Sequence, residues 1–236
     1  IDSPVAGYLT LKLGVMIECI HYASPPYTSD RAREKVLELA KKLTPYTPEI
    51  KVHIIPFTDL QLAIYEHTPE SYAMTVMRRM MYRISERIAH KNNCLALVNG
   101  ESIGQVASQT LNSMQVINEV VRIPVLRPVL CLDKLEIIDI ANKIDTYEIS
   151  IRPHEDCCTI FTPKAPATKP KSYKAEAFEK EFDFENRPAV TDEIIDEVIA
   201  SYQMRRGVVP MNLLPDHGNS NTLTGVSETS LKNFLG

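Results

Sequence analysis

The chain has 236 residues, 44% of them hydrophobic and 24% charged, with a net charge of −4. That suits one large globular domain or a domain with an extension, and it excludes a global basic field for nucleic acid, so any RNA must be gripped by local patches or by another region. No apolar run approaches the ~20 residues of a spanning helix. The five cysteines, Cys19, Cys94, Cys131, Cys157 and Cys158, are odd in number and form no CxxC pair, which predicts a reducing, cytoplasmic setting.

The chain opens on Ile1-Asp2-Ser3-Pro4. Ser3 as N-cap and Pro4 at the first helical position predict a helix that Gly14 stops. A helix N-terminus binds anions, so the expectation is the second half of a phosphate-binding loop whose strand and glycine-rich turn lie upstream. Residues 17–23 read as a strand. Ser29 or Asp30 caps a helix to about Leu43, with Ala32, Val36, Leu39, Ala40 and Leu43 at helical spacing. Residues 51–57 form the next strand. Thr68-Pro69 starts a helix to about His90, carried by Met74, Met77, Met81, Ile84 and Ile88. A short apolar run covers 94–98, a helix 105–118, and an extended segment 121–129. Asp133 with Glu136 is a capping box for a helix to about Ile144. Residues 156–174 form a loop rich in proline and lysine, 189–206 a final helix, and the charge-poor stretch from Gly207 a weakly ordered tail. Strands alternating with helices imply βαβ units and a mostly parallel sheet, with ligands beyond the carboxyl ends of the strands.

Three groups carry candidate chemistry. Asn99 to Thr110 follows a strand, and its two glycines permit close backbone approach. With Gln105, Ser108 and Gln109 it favours a binding loop over a bland one. Arg78, Arg79, Arg83 and Arg87 share one helix. A solvated basic face accounts for most of them, and one guanidinium suits bidentate phosphate recognition. Cys157-Cys158 is strained for a mutual disulfide and short of ligands for zinc. A thiol in a proline- and lysine-rich loop is also a candidate nucleophile of lowered pKa, for which spacing alone is a weak signal, so an unreactive pair is the readier reading.

These segments together resemble the 4-thiouridine synthetases of tRNA, the ThiI family of PP-loop ATPases. The matching residues are Ile1-Asp2-Ser3-Pro4-Val5-Ala6-Gly7, His21-Tyr22 with Ser24 to Ser29, Gly100 to Thr110, Arg127-Pro128-Val129, and Asp156-Cys157-Cys158-Thr159-Ile160-Phe161. The resemblance implies an α/β, Rossmann-like fold of the adenine nucleotide alpha-hydrolase type over 1–206, lacking its first strand, followed by an atypical tail at 207–236. It implies an ATP site at Asp2, Ser3, His21, Tyr22, Arg78, Gly100 and Gln109, with no protein-held metal. Asp2 is implied in activating the uridine, and Cys157 is the implied catalytic thiol. Whether Cys157 carries or resolves the persulfide stays open, and Cys158 is a second thiol at lower odds. The implied reaction adenylates a tRNA uridine at O4 with ATP and Mg2+, then replaces AMP with sulfur. The implied partners are tRNA and, without a rhodanese segment, a cysteine desulfurase. A homodimer is left open and no membrane is involved. Thiazole synthesis is less expected without rhodanese chemistry. The family's RNA-binding ferredoxin-like and THUMP parts fall outside this sequence. A 2-thiouridylase-like enzyme and an inactive fragment are the alternatives.

Overall fold

The computed structural model describes residues 1–153, 163–182, 184 and 195–200, the last as a strand backbone with the Asp196 side chain. Cys157, Cys158 and the 207–236 tail lie outside the described residues. The elements in order are α1 (Asp2–Leu11), β1 (Cys19–Ala23), α2 (Asp30–Leu43), β2 (Glu49–Pro56), α3 (Thr58–His67), α4 (Glu70–Lys91), β3 (Leu97–Val98), α5 (Leu111–Asn118), β4 (Val125–Leu126), α6 (Lys134–Lys143), α7 (Tyr147–Ser150), α8 (Ser172–Glu179) and β5 (Ile195–Ala200).

β2 organises the larger sheet. β1 runs parallel along one edge, with Cys19 opposite Val52 and Ala23 opposite Pro56. Helix α2 makes the crossover between them. β5 runs antiparallel along the other edge, with Glu49 opposite Ala200 and Ile54 opposite Ile195. β3 and β4 form a separate parallel pair. Side chains alternate across β2, as the period of a strand requires. Ile50, Val52 and Ile54 join the core beneath α1, α2 and α6, whereas Ile55 joins the core of α3, α4 and α8. Helices thus cover both faces, the arrangement of a doubly wound α/β domain. Among the described residues no helix is long and apolar enough to cross a membrane.

Several expected elements differ from the observed ones. The final helix is strand β5 in its described part. Ile195, Val198 and Ile199 are β-branched, and the free edge of β2 offers them a ladder. The Asp196 carboxylate then lies 2.5 Å from Nδ1 of His53 and 3.1 Å from Nζ of Lys51. α3 has no counterpart among the expected elements, because its buried stripe of Leu60, Gln61, Ala63 and Ile64 includes a glutamine. The helix expected from Gln105 begins only at Leu111, where the Thr110 side chain accepts the Ser113 N–H. Residues 107–109 make a single 3-10 turn instead.

Arg79 does not belong to a solvated basic face. It is 1% exposed and is the largest fully buried side chain among the described residues. Its Nε donates to Glu179 of α8 (2.5 Å), and one Nη donates to the Val116 carbonyl (2.6 Å) and to the Glu119 carboxylate. Arg83 adds a second donor to Glu179 at 2.9 Å. α8 is therefore pinned to α4 and α5 by charge as well as by the Tyr72–Phe178 ring contact. Removing one partner of such a network strands the others. Arg79→Met should lower stability by about 3–5 kcal/mol, read from urea unfolding.

Candidate active site

α1 begins at Asp2, with Ile1 at the N-cap position and no side-chain cap. The predicted Ser3 cap is thus corrected: Ser3 lies exposed inside the first turn. Asp2 also lies in that turn, where a carboxylate is favoured by the positive end of the helix. After β3 the chain passes through Asn99-Gly100-Glu101, and Gly100 lies directly against this turn. A Cβ on Gly100 would stand 2.6 Å from the Asp2 carbonyl carbon and 2.7 Å from the Ser3 nitrogen. The two backbones meet only because residue 100 is glycine.

The first residue of α6 completes the meeting point. Lys134 Nζ donates to Asp2 Oδ1 at 2.8 Å. A lysine at a helix N-terminus opposes the helix dipole, so its placement is locally unfavourable and is offset by Asp2. The side chains are 43% and 25% exposed, which makes this a weak pair, worth about 1 kcal/mol or less, that a polar ligand can enter. The capping box beside it, Asp133 with Glu136, forms as expected.

One residue beyond Gly100, Glu101 is 3% exposed yet charged. Its Oε1 accepts from Arg78 Nη2 at 2.5 Å, and its Oε2 accepts from Arg127 Nε at 2.9 Å, Tyr82 Oη at 3.0 Å and Asn99 Nδ2 at 3.0 Å. Arg127 Nη2 also donates to Asn118 at 3.0 Å. Burial alone would raise the Glu101 pKa. The guanidiniums of Arg78 and Arg127 outweigh it and hold the carboxyl below the usual carboxylate range. Tyr82 moves the other way, pushed up to about 12 by burial and then by the Glu101 charge.

The loop from Ser102 to Thr110 folds back on itself. Gly104, at φ +73°, donates its N–H to the Gln109 carbonyl at 2.9 Å, and the Gln109 side-chain oxygen accepts the Ser102 N–H at 3.4 Å. Gln109 is thereby a loop staple on a 3-10 turn. On β1, His21 is buried, and the Tyr22 hydroxyl donates to the Met81 carbonyl at 2.6 Å and pairs with Ser85 at 2.8 Å. The Tyr22 ring packs edge-on against Phe57. Its side chain therefore belongs to the β1–α4 packing.

Asp2, Ser3 and Gly100 thus meet at the start of α1 with Lys134 beside them, while Arg78 meets Glu101, the residue after Gly100. Lys134 at Asp2, and Glu101 with Tyr82 and Arg127, were not singled out as site residues from the sequence. The capping box explained the residues around Lys134 without it. The one available signal for Glu101 was a carboxylate between two glycines just after a strand. Two of the described thiols are shifted away from thiolate chemistry: Cys19 is pushed up to about 11, first by burial and then by the Glu18 charge, and Cys94 is raised by the same causes.

Gly100→Ala should cost about 1–3 kcal/mol in urea unfolding, because backbone rather than a flexible side chain must yield. The depressed Glu101 pKa gives a second expectation. Its stabilisation is complete above the ordinary glutamate pKa and is lost as pH falls through the lowered value. Unfolding followed from neutral pH down to about pH 3 should show a flatter acid limb in Glu101→Gln than in the parent.

The family model described as thiamine biosynthesis protein (ThiI) matches residues 1–184. A solved structure described as a 4-thiouridine synthetase–RNA complex with bound ATP is 42% identical, superposes with a TM-score of 0.79, and covers 84% of this chain. The match takes in 52% of that protein, so the chain spans about half the length of its solved relative. The fold is accordingly the Rossmann-like α/β fold of the PP-loop ATPases. With the model matched over most of its length, this chain belongs to the ThiI family.

Proposed function

We propose that the chain is the ATPase and thiolation part of a tRNA sulfurtransferase that adenylates a uridine at O4 and then installs sulfur to give 4-thiouridine. The observation that carries this reading is the meeting of the α1 N-terminus, Gly100 and Lys134 around Asp2, with Arg78 held by Glu101 one residue beyond Gly100. Helix N–H groups, an ammonium and a guanidinium form a donor set suited to a polyphosphate. The relative solved with RNA and ATP supports both substrates for this chain.

In this reading Arg78, Lys134 and the first-turn N–H groups hold the triphosphate, and Ser3 offers a further donor. Gln109 keeps the adjoining loop in shape. His21, midway along β1, lies beside the nucleotide, and Tyr22 contributes through its backbone. Asp2 orients the uridine. Its O4 attacks the α-phosphorus and pyrophosphate departs, which converts a poor leaving group into AMP. The outer sulfur of a persulfide then attacks C4 and AMP leaves, giving a C4–S–S–Cys link; a second thiol attacks the cysteine sulfur of that link, forming a protein disulfide and releasing the 4-thiouridine. Cys157 is the thiol assigned to that step, as carrier or as resolver of the resulting disulfide, with Cys158 second. The sulfur comes from a cysteine desulfurase. A magnesium ion, when bound, offsets charge on the triphosphate. The setting is cytoplasmic.

Nucleoside analysis of tRNA from cells carrying only a variant gene tests the assignment. Cys157→Ser should abolish 4-thiouridine and Cys158→Ser should leave much of it. The reverse pattern reassigns the thiol, and loss of 2-thiouridine with 4-thiouridine intact would sink the reading. Lys134→Met should lower the single-turnover adenylation rate by about 10²-fold, the scale of one lost transition-state charge contact.

A further inference from the structure

Residues 163–174 read Pro-Lys-Ala-Pro-Ala-Thr-Lys-Pro-Lys-Ser-Tyr-Lys, with four lysines and no acidic residue, in a chain whose net charge is −4. Taken as sequence, such a run is a solvated loop. The fold treats it otherwise. Pro163 and Pro170 are buried, whereas Lys164, Lys169, Lys171 and Lys174 are exposed. The backbone is fastened at intervals to the start of α4: the Lys164 N–H donates to Glu70 Oε1 at 2.8 Å, the Ala167 N–H to the Ser71 carbonyl at 2.9 Å, and the Lys171 N–H to Tyr72 Oη at 3.1 Å. Thr110, the cap of α5, donates its hydroxyl to the Thr168 carbonyl at 2.7 Å. Thr110 also ends the loop that begins at Gly100, so the segment adjoins the chain leading away from Asp2. Helix α8 extends the basic run, with Lys171 at its N-cap, Lys174 in its first turn and no acidic residue there. Lysines at this end oppose the helix dipole, and their charge adds to that of the helix N-terminus. The carboxylates bonded to the segment are already committed. Glu70 accepts the Lys164 N–H, and Glu119, which accepts from Ser172, is shared with buried Arg79. Among the described residues no carboxylate pairs with any of the four ammoniums. Tyr173 stands between the lysines of α8 and is 67% exposed.

We propose that residues 163–174 form a preset strip that binds the phosphate backbone of RNA, with Tyr173 as a platform on which a base stacks. This rests on the reading of the chain as part of a tRNA-modifying enzyme. A solvated loop needs no anchoring, whereas a surface that receives a flexible polyanion gains from it, because the ordering cost is met before binding. The composition favours RNA over a protein partner. Protein interfaces are depleted in lysine and apolar at their cores. Lysines interleaved with an exposed aromatic ring suit a nucleic acid, the ammoniums meeting phosphates and the ring meeting a base. Such contacts position the RNA without reading its sequence. The chain as a whole is acidic, so this local run supplies what the net charge does not.

The test measures tRNA binding by the intact protein over a series of salt concentrations, with KM for ATP and urea unfolding alongside. In the variant with Lys164, Lys169, Lys171 and Lys174 all changed to Gln, the slope of log K against log salt should shrink by about 2–3, from about 0.7–0.9 per lost phosphate contact. Its Kd for tRNA should rise about tenfold or more at about 0.15 M salt. KM for ATP and the unfolding midpoint should stay at parent values, because the four side chains are exposed. Tyr173→Ala should raise Kd about fivefold and leave the slope unchanged. Tyr72→Phe keeps every lysine and the ring against Phe178 but removes the acceptor of the Lys171 N–H. It should raise Kd about threefold through the loosened loop. Changing Lys12, Lys41 and Lys143, exposed on other elements, to Gln should leave slope and Kd unchanged. An equal effect there would reduce the strip to general charge and overturn the proposal, as would a parent slope in the four-lysine variant. A silent Tyr72→Phe would count against a preset strip. Normal tRNA binding with loss of sulfur delivery alone would assign the lysines to the sulfur-donor protein instead. A parent protein that binds no tRNA would remove the underlying reading.

Discussion

Gly100 leaves no room for a side chain against the first turn of α1, and the geometry of the site follows from that contact. β3 delivers the glycine and α1 delivers Asp2. Because the approach is backbone to backbone, no side-chain rearrangement can relieve or imitate it. Lys134 arrives from α6, so three elements remote in sequence converge at one corner, and Arg78 of α4 meets Glu101 one residue beyond the glycine. The convergence sits where a doubly wound domain places its ligands, beyond the carboxyl ends of the strands.

Charge is used in two different ways around this corner. Arg79, almost wholly buried, is neutralised by Glu119 and Glu179 and fastens α8 to α4 and α5. Its neighbour Arg78 is one residue along the same helix and rotated to the next face. It meets Glu101 and reaches solvent. Adjacent residues of one type thus divide between holding the fold and facing the site, since successive helical positions point about 100° apart. The Asp2–Lys134 pair is a third case, exposed enough to be weak.

The elements with strong local signals were legible in the sequence. The α4 periodicity, the α2 stripe, the alternation of β2 and the Asp133–Glu136 capping box each depend on residues within one or two turns of each other. The weaker ones were not. β5 reads equally as helix until the open edge of β2 is known, and α3 hides its buried stripe behind Gln61. Gln105, Ser108 and Gln109 looked helical because their loop precedes a real helix, whereas Thr110 places the cap later.

The sequence by itself determined the family, the α/β class and the identities of Asp2, Arg78 and Gly100 as candidates, because short motifs and local periodicity carry that information. Only the tertiary structure decided that Lys134 faces Asp2 across 132 positions of chain and that Glu101 is shared by two arginines. It also separated Arg79 from Arg78. Those are properties of distance and burial, and burial is set by which faces the folded elements press together rather than by the order of residues along them.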